Sequence, residues 1–190
     1  MRYCTNCGNA IPDEASFCGV CGTPAAVSQD QYAYEEEKDF LDYTHRFLRY
    51  ERLAWKISGV VWLILAIVFM GFGLLFAIAG IGVSATTASD LEAASFVAFG
   101  TLGFTYLLLG LLYLPIAIIN LKMVKKVEGY MGTLYTDVRA AATRNASVGM
   151  IVFSAIFNTI AMVFYIINFA NTKSKGAVID RIIRRQQGTL

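Results

Sequence analysis

Two Cys-x-x-Cys pairs in the first 24 residues, three long uncharged apolar runs behind them, and clusters of Lys and Arg at the ends of those runs predict a two-part protein. The first part is a small ribbon built from two metal-binding knuckles. The second is an all-α membrane domain with three transmembrane helices and amphipathic flanking helices. Composition agrees. Of the 190 residues, 56% are hydrophobic, and the mean hydropathy of +0.54 lies well above soluble usage.

The ribbon occupies residues 1–24. Cys4-Thr5-Asn6-Cys7 and Cys18-Gly19-Val20-Cys21 use every cysteine of the chain. A Cys-x-x-Cys pair brings two thiolates to one metal from a tight turn, and two pairs supply the four sulfurs of a closed tetrahedral zinc site. Gly8 and Gly22 follow the second cysteine of each pair. The chain there favours positive φ while nearby backbone amides soften the charge on sulfur. Two disulfides would be the competing use of these thiols, and they belong to secreted domains. Cys4 lies almost at the first residue, so no signal peptide is expected ahead of it. The same four sulfurs also suit a mononuclear iron centre. Ile11, Phe17 and Val20 are the only sizeable apolar candidates for a ribbon core, so its folding is expected to require metal.

Residues 3–24, YCTNCGNAIPDEASFCGVCGTP, resemble the short zinc ribbon found at the N-terminus of many bacterial and archaeal membrane and regulatory proteins. The likeness rests on Cys-x-x-Cys-Gly, then Ile11-Pro12-Asp13, then Phe17 directly before the second Cys-x-x-Cys-Gly. It implies one structural zinc held by Cys4, Cys7, Cys18 and Cys21. It implies no activity, because such ribbons are joined to many unrelated partners.

Residues 25–33 read as a flexible tether. Residues 34–56 read as an amphipathic juxtamembrane helix. Phe40, Leu41, Thr44, Phe47, Leu48, Leu53 and Ala54 fall near helical spacing on one side, acids crowd its opening turns, and Arg46, Arg49 and Arg52 approach the membrane. The membrane domain follows over 57–170, with spans at about 57–83, 96–119 and 148–169. Each is long enough for a hydrocarbon core of ~30 Å, and none carries Asp, Glu, Lys, Arg or His. Trp55 and Trp62 read as interfacial anchors of the first span. Between the second and third spans, 121–147 predicts a cytoplasmic helix, broken near Gly129 or Gly132. Its apolar face consists of Val124, Val127, Met131, Leu134, Tyr135 and Val138. Residues 171–190 predict a basic amphipathic tail with Val178, Ile179, Ile182 and Ile183 as its stripe. Residues 40–185 are similar to a family of small bacterial membrane domains that often follow such ribbons. The shared features are a charged helix before the first span, a basic helix after the second and an Asn-rich third span. This similarity carries no catalytic residue onto the chain.

Basic residues before the first span and in 121–147 place the N-terminus in the cytoplasm of an integral, multi-pass cell-membrane protein. Three crossings leave the five basic residues of the tail outside, against that rule. A third run that re-enters near Asn158 and Thr159 would return them. Asn158 otherwise reads as interhelical glue, and Gly71, Gly73, Gly80, Gly82, Gly100, Gly103 and Gly110 mark faces of close helix approach and of possible homo-oligomers. No ionisable group lies inside the spans to relay protons or couple transport. No nucleophile constellation or phosphate-cradling loop is present. The expected function is therefore non-enzymatic: a membrane-embedded protein, in contact with lipid, showing its ribbon to a protein partner. The alternatives are a small transporter or channel subunit and a membrane-tethered nucleic-acid-binding ribbon. Residues 1–40 hold two bases against seven acids, which disfavours nucleic acid.

Overall fold

The computed structural model describes residues 2–25, 29–84 and 90–188. In the ribbon, β1 (Arg2–Tyr3) pairs antiparallel with β2 (Ala10–Ile11), and Phe17 forms a single bridge with Pro24. Among the described residues six helices follow: α1 (Gln29–Ser84), α2 (Asp90–Thr133), α3 (Val138–Asn145), α4 (Val148–Phe157), α5 (Thr159–Ser174) and α6 (Gly176–Gln186).

Helix α1 runs unbroken through the expected juxtamembrane helix and first span, at about 84 Å for its 56 residues. It begins at Gln29, so the second half of the expected tether is helical, while residues 26–28 lie outside the described residues. Of the short linker expected at 84–95 between the first two spans, 85–89 lie outside the described residues and 90–95 are helical as the start of α2. Helix α2 passes through Gly129 and Gly132 and stops at Thr133, where a turn held by the Asp137 amide on the Thr133 carbonyl reverses the chain.

α1 and α2 lie antiparallel, and small residues let them approach. Gly59, Ala66, Gly73 and Gly80 recur every seven residues on α1, and Gly103, Gly110 and Ala117 do so on α2; all are buried. A seven-residue repeat keeps one seam of a helix facing its partner. A Cβ at Gly110 would stand 3.0 Å from the Ala66 carbonyl oxygen and the Met70 amide nitrogen. Beside this seam runs an aromatic ladder: Trp62–Tyr113 at 5.2 Å, Phe69–Tyr106 at 5.6 Å and Phe76–Phe99 at 6.2 Å. Gly71 and Gly100 face away from it with nothing near them.

The expected third transmembrane helix is not one element. Asn158 has extended backbone and interrupts the run between α4 and α5. Its side-chain oxygen caps α5 by accepting the Ala161 amide, while its amide group donates to the Ala54 carbonyl and to Asn120 Oδ1. The cap satisfies one of the unpaired amides that open any helix and fixes the break. Among the described residues, two helices, within Gln31–Gly80 and Ala94–Thr133, are long and apolar enough to cross a membrane. A third crossing would require α3 and α4 to act as one span, and these are bent by 70°.

From Asn158, α5 climbs back along the N-terminal half of α1. Phe164 packs on Tyr50, Asn171 reaches Thr44 at 3.4 Å, and Lys175 meets Glu36 at 2.7 Å. α6 then clasps the same turn of α1, with Arg181 on Glu36 and Arg185 on Glu37. The core that these helices enclose holds Phe40, Leu48, Val127, Leu134, Val138, Val178 and Ile182. Most of the apolar positions expected on α1, α2 and the tail are therefore buried, but Leu53 and Tyr135 are exposed. Trp55 is no interfacial anchor. It is fully buried, and its indole donates to Glu51 Oε1 at 3.1 Å.

Glu51 and Arg144 form a buried ion pair, with Arg144 Nη1 on Glu51 Oε2 at 3.1 Å and Arg144 Nη2 on Glu51 Oε1. The guanidinium also lies over the rings of Tyr130 and Tyr165, and the Tyr165 hydroxyl donates to the Ser147 carbonyl at 2.9 Å. This pair ties α1 to the α3–α4 corner just before the first span begins.

Candidate functional site

The sequence-predicted site residues Cys4, Cys7, Cys18 and Cys21 come together, each offering one sulfur, with all four sulfurs within 4.8 Å of one another. The two Cys-x-x-Cys turns are near copies. The Cys4 amide donates to the Asn9 carbonyl and the Gly8 amide to the Cys4 carbonyl. The Cys18 amide donates to Thr23 and the Gly22 amide to Cys18 in the same way. Gly8 at φ 70° and Gly22 at φ 69° close these turns in the left-handed region, which a side chain disfavours. Cys4 and Cys18 are buried with Ile11, while Cys7 and Cys21 are exposed.

The sulfurs of Cys4 and Cys21 are 3.5 Å apart and those of Cys7 and Cys18 3.6 Å. A disulfide requires about 2.05 Å. A tetrahedron with Zn–S bonds of about 2.3 Å has edges of ~3.8 Å, so the four sulfurs fit zinc and not cross-links. Electrostatics makes the same demand. Thr23, through its hydroxyl at 3.1 Å and then its amide, draws the Cys21 thiol down to about 6. The amides of Cys21 and Val20 lower Cys18. At Cys7 the Asn9 amide lowers the value, yet the surrounding thiols, Cys21 first, push it up to about 12. Four thiols this close cannot all ionise unless a cation shares their charge. The amides acting on Cys7 and Cys21 belong to Asn9 and Thr23, one residue beyond the knuckle glycines. Thr23 was not singled out by the sequence reading; its signal is its place two residues after the last ligand, where the hydroxyl can fold back on sulfur.

The expected ribbon core is only partly formed. Ile11 is buried, but Phe17 is 62% and Val20 70% exposed, and Tyr3 joins them at 74%. Asn6, Asn9, Asp13 and Glu14 are also exposed on the loops between ligands. Asn6 is tied to Thr23 at 3.1 Å.

Residues 3–25 match the zinc-ribbon domain family. With its four cysteines gathered for one metal, this segment is a zinc ribbon with a single structural zinc site. No curated protein and no solved structure matches the chain.

Proposed function

We propose that this is a non-enzymatic integral membrane protein that displays its zinc ribbon at the cytoplasmic surface as a docking module for another protein. The carrying observation is the surface of the ribbon. Tyr3, Phe17 and Val20 are large apolar side chains left in solvent on a domain of about two dozen residues. Aromatic side chains of this kind are typical anchors of protein interfaces. The metal supports the fold and leaves no position for water or substrate, since four thiolates close its coordination. The acidic balance of residues 1–40 favours a basic protein surface over a phosphate backbone.

In this reading the chain crosses the membrane twice, through α1 and α2. The third run stays on the cytoplasmic side, with α4 and the hairpin tip at Asn158 set into that leaflet. Ion pairs from α5 and α6 to Glu36 and Glu37 support this arrangement. It also places the basic residues of 46–56, 121–147 and the tail on one side, as the charge rule prefers.

The test is photo-crosslinking of the full chain in native membranes, comparing wild type with Phe17→Ser/Val20→Ser and with Asp13→Lys/Glu14→Lys. The docking reading expects a discrete cross-linked partner that both variants lose, with zinc content unchanged. An identical partner profile in all three would assign any interaction to the helices.

A further inference from the structure

Between the end of α2 and the α3–α4 corner lies a groove of about 570 Å³. We infer that it is a binding site for the phosphate headgroup of an anionic phospholipid in the leaflet on the side of the ribbon. The inference rests on unpaired charge, donor chemistry and height above the bilayer.

Lys126 on α2 and Arg139 on α3 face the groove, and both are exposed. Neither forms an ion pair among the described residues, although their neighbours Arg52 and Glu128 pair at 3.5 Å. Thr143, one turn on from Arg139, and Ser147, at the α3–α4 corner, add hydroxyls. Arg144 forms part of the floor. It is held rigidly by Glu51 and keeps its buried Nε without a hydrogen-bond partner among the described residues. Cations with flanking hydroxyl donors are the chemistry that receives a phosphate. One carboxylate, Asp137, also lines the groove, and its Oδ1 accepts the Arg139 amide as the cap of α3.

Height selects a lipid over a soluble phosphate. Along α1, Glu51 meets Arg144 and Gly59 abuts Leu121, so Lys126 stands beside the turn where the first span begins. Asp137 is at the far end, since the neighbouring Tyr135 bonds Asp42, two to three turns above Glu51. Met150 closes the membrane end, and α4 leaves it with Val148, Val152 and Ile156 exposed along one face. A headgroup in the groove would thus have its acyl chains beside an apolar helix face. Basic groups at this height attract anionic lipid, and a shaped groove converts that attraction into retention of one molecule.

The test is native mass spectrometry of the full chain released from phosphatidylcholine nanodiscs with and without phosphatidylglycerol. Expected is one phosphatidylglycerol retained per chain, with a loss of retention in Lys126→Gln/Arg139→Gln about tenfold or more greater than in Lys122→Gln/Lys125→Gln, the difference being the direct hydrogen bonds to the headgroup. The second variant removes equal charge from outside the groove. Equal losses in both variants would reduce the effect to general surface charge and overturn the site. Equal retention of phosphatidylcholine, or displacement by excess inorganic phosphate, would overturn its assignment to an anionic lipid.

Discussion

Glu51 shows how one residue is placed by the stripe around it. Glu37, Phe40, Thr44, Leu48, Glu51 and Trp55 recur at three- and four-residue steps along α1, and all are buried. An acid on that stripe cannot stay charged without a partner, and Arg144 supplies one from 93 residues away. The stripe as read from the sequence ran through Phe40, Leu41, Thr44, Phe47, Leu48, Leu53 and Ala54 and did not include the acid. The identity of its partner was not legible either, because nothing local to Arg144 separates it from the exposed Arg139. Removing one member leaves the other charged and buried, which costs about 3–5 kcal/mol, whereas replacing both with apolar groups is near neutral. Thermal unfolding in detergent should therefore show Glu51→Gln and Arg144→Met each strongly destabilised, and Glu51→Leu/Arg144→Met largely recovered. A double variant as weak as the sum of the singles would mean that the pair is not coupled. The four ribbon cysteines were fully legible, because Cys-x-x-Cys spacing is a local property of the chain. Elemental analysis should find one zinc per chain, and chelation should unfold residues 2–25 while helical circular dichroism persists. Loss of helix on chelation would tie the ribbon to the body.

Elements were legible where a single period governs a long run, and broken where a side chain made a tertiary bond. The repeat of small residues at 59, 66, 73 and 80 gives α1 its contact seam, and glycines at 103 and 110 answer it on α2. Composition marked the glycines but not which of them face the partner helix. At Gly110 the backbone of α1 lies against the position of a side chain, so the helices must part to admit one. Gly110→Val should cost about 1–3 kcal/mol or more by overpacking. Gly71→Ala and Gly100→Ala meet open space, so they should be neutral or stabilising by up to about 1 kcal/mol through helix propensity. Melting temperatures in one detergent read all three, and equal effects would remove the seam. Asn158 is the opposite case. In a run of apolar residues it passes for hydrogen-bonding glue, and it does bond α1 and α2. Its second role, capping α5, depends on the backbone turning there, which no periodicity announces.

At the scale of the whole molecule, that one break bears on which side of a membrane the tail would lie. A straight helix over 148–169 would carry Lys175 to the far side of a hydrocarbon core of ~30 Å. In the folded chain Lys175 lies 2.7 Å from Glu36, which precedes the first span. Both cannot hold, so the clasp of α5 and α6 on α1 and the third crossing exclude each other. The charge distribution weighs the same way, since two crossings gather every basic cluster on the side of the ribbon. Single cysteines at Ser89, Thr143 and Ser174, in a chain whose four native cysteines are changed to serine, make this measurable with a membrane-impermeant maleimide. Thr143 and Ser174 are exposed; Ser89 falls in the connection between α1 and α2, outside the described residues. Two crossings require Thr143 and Ser174 to label from the cytoplasmic side and Ser89 from the opposite one. If Ser174 labels with Ser89 instead, the third run crosses, the ion pairs on Glu36 and Glu37 do not form in the membrane, and charge reversal at Glu36 should leave stability unchanged. If Ser174 labels with Thr143, the same reversal, Glu36→Lys, should release the tail, seen as faster proteolysis after Lys175.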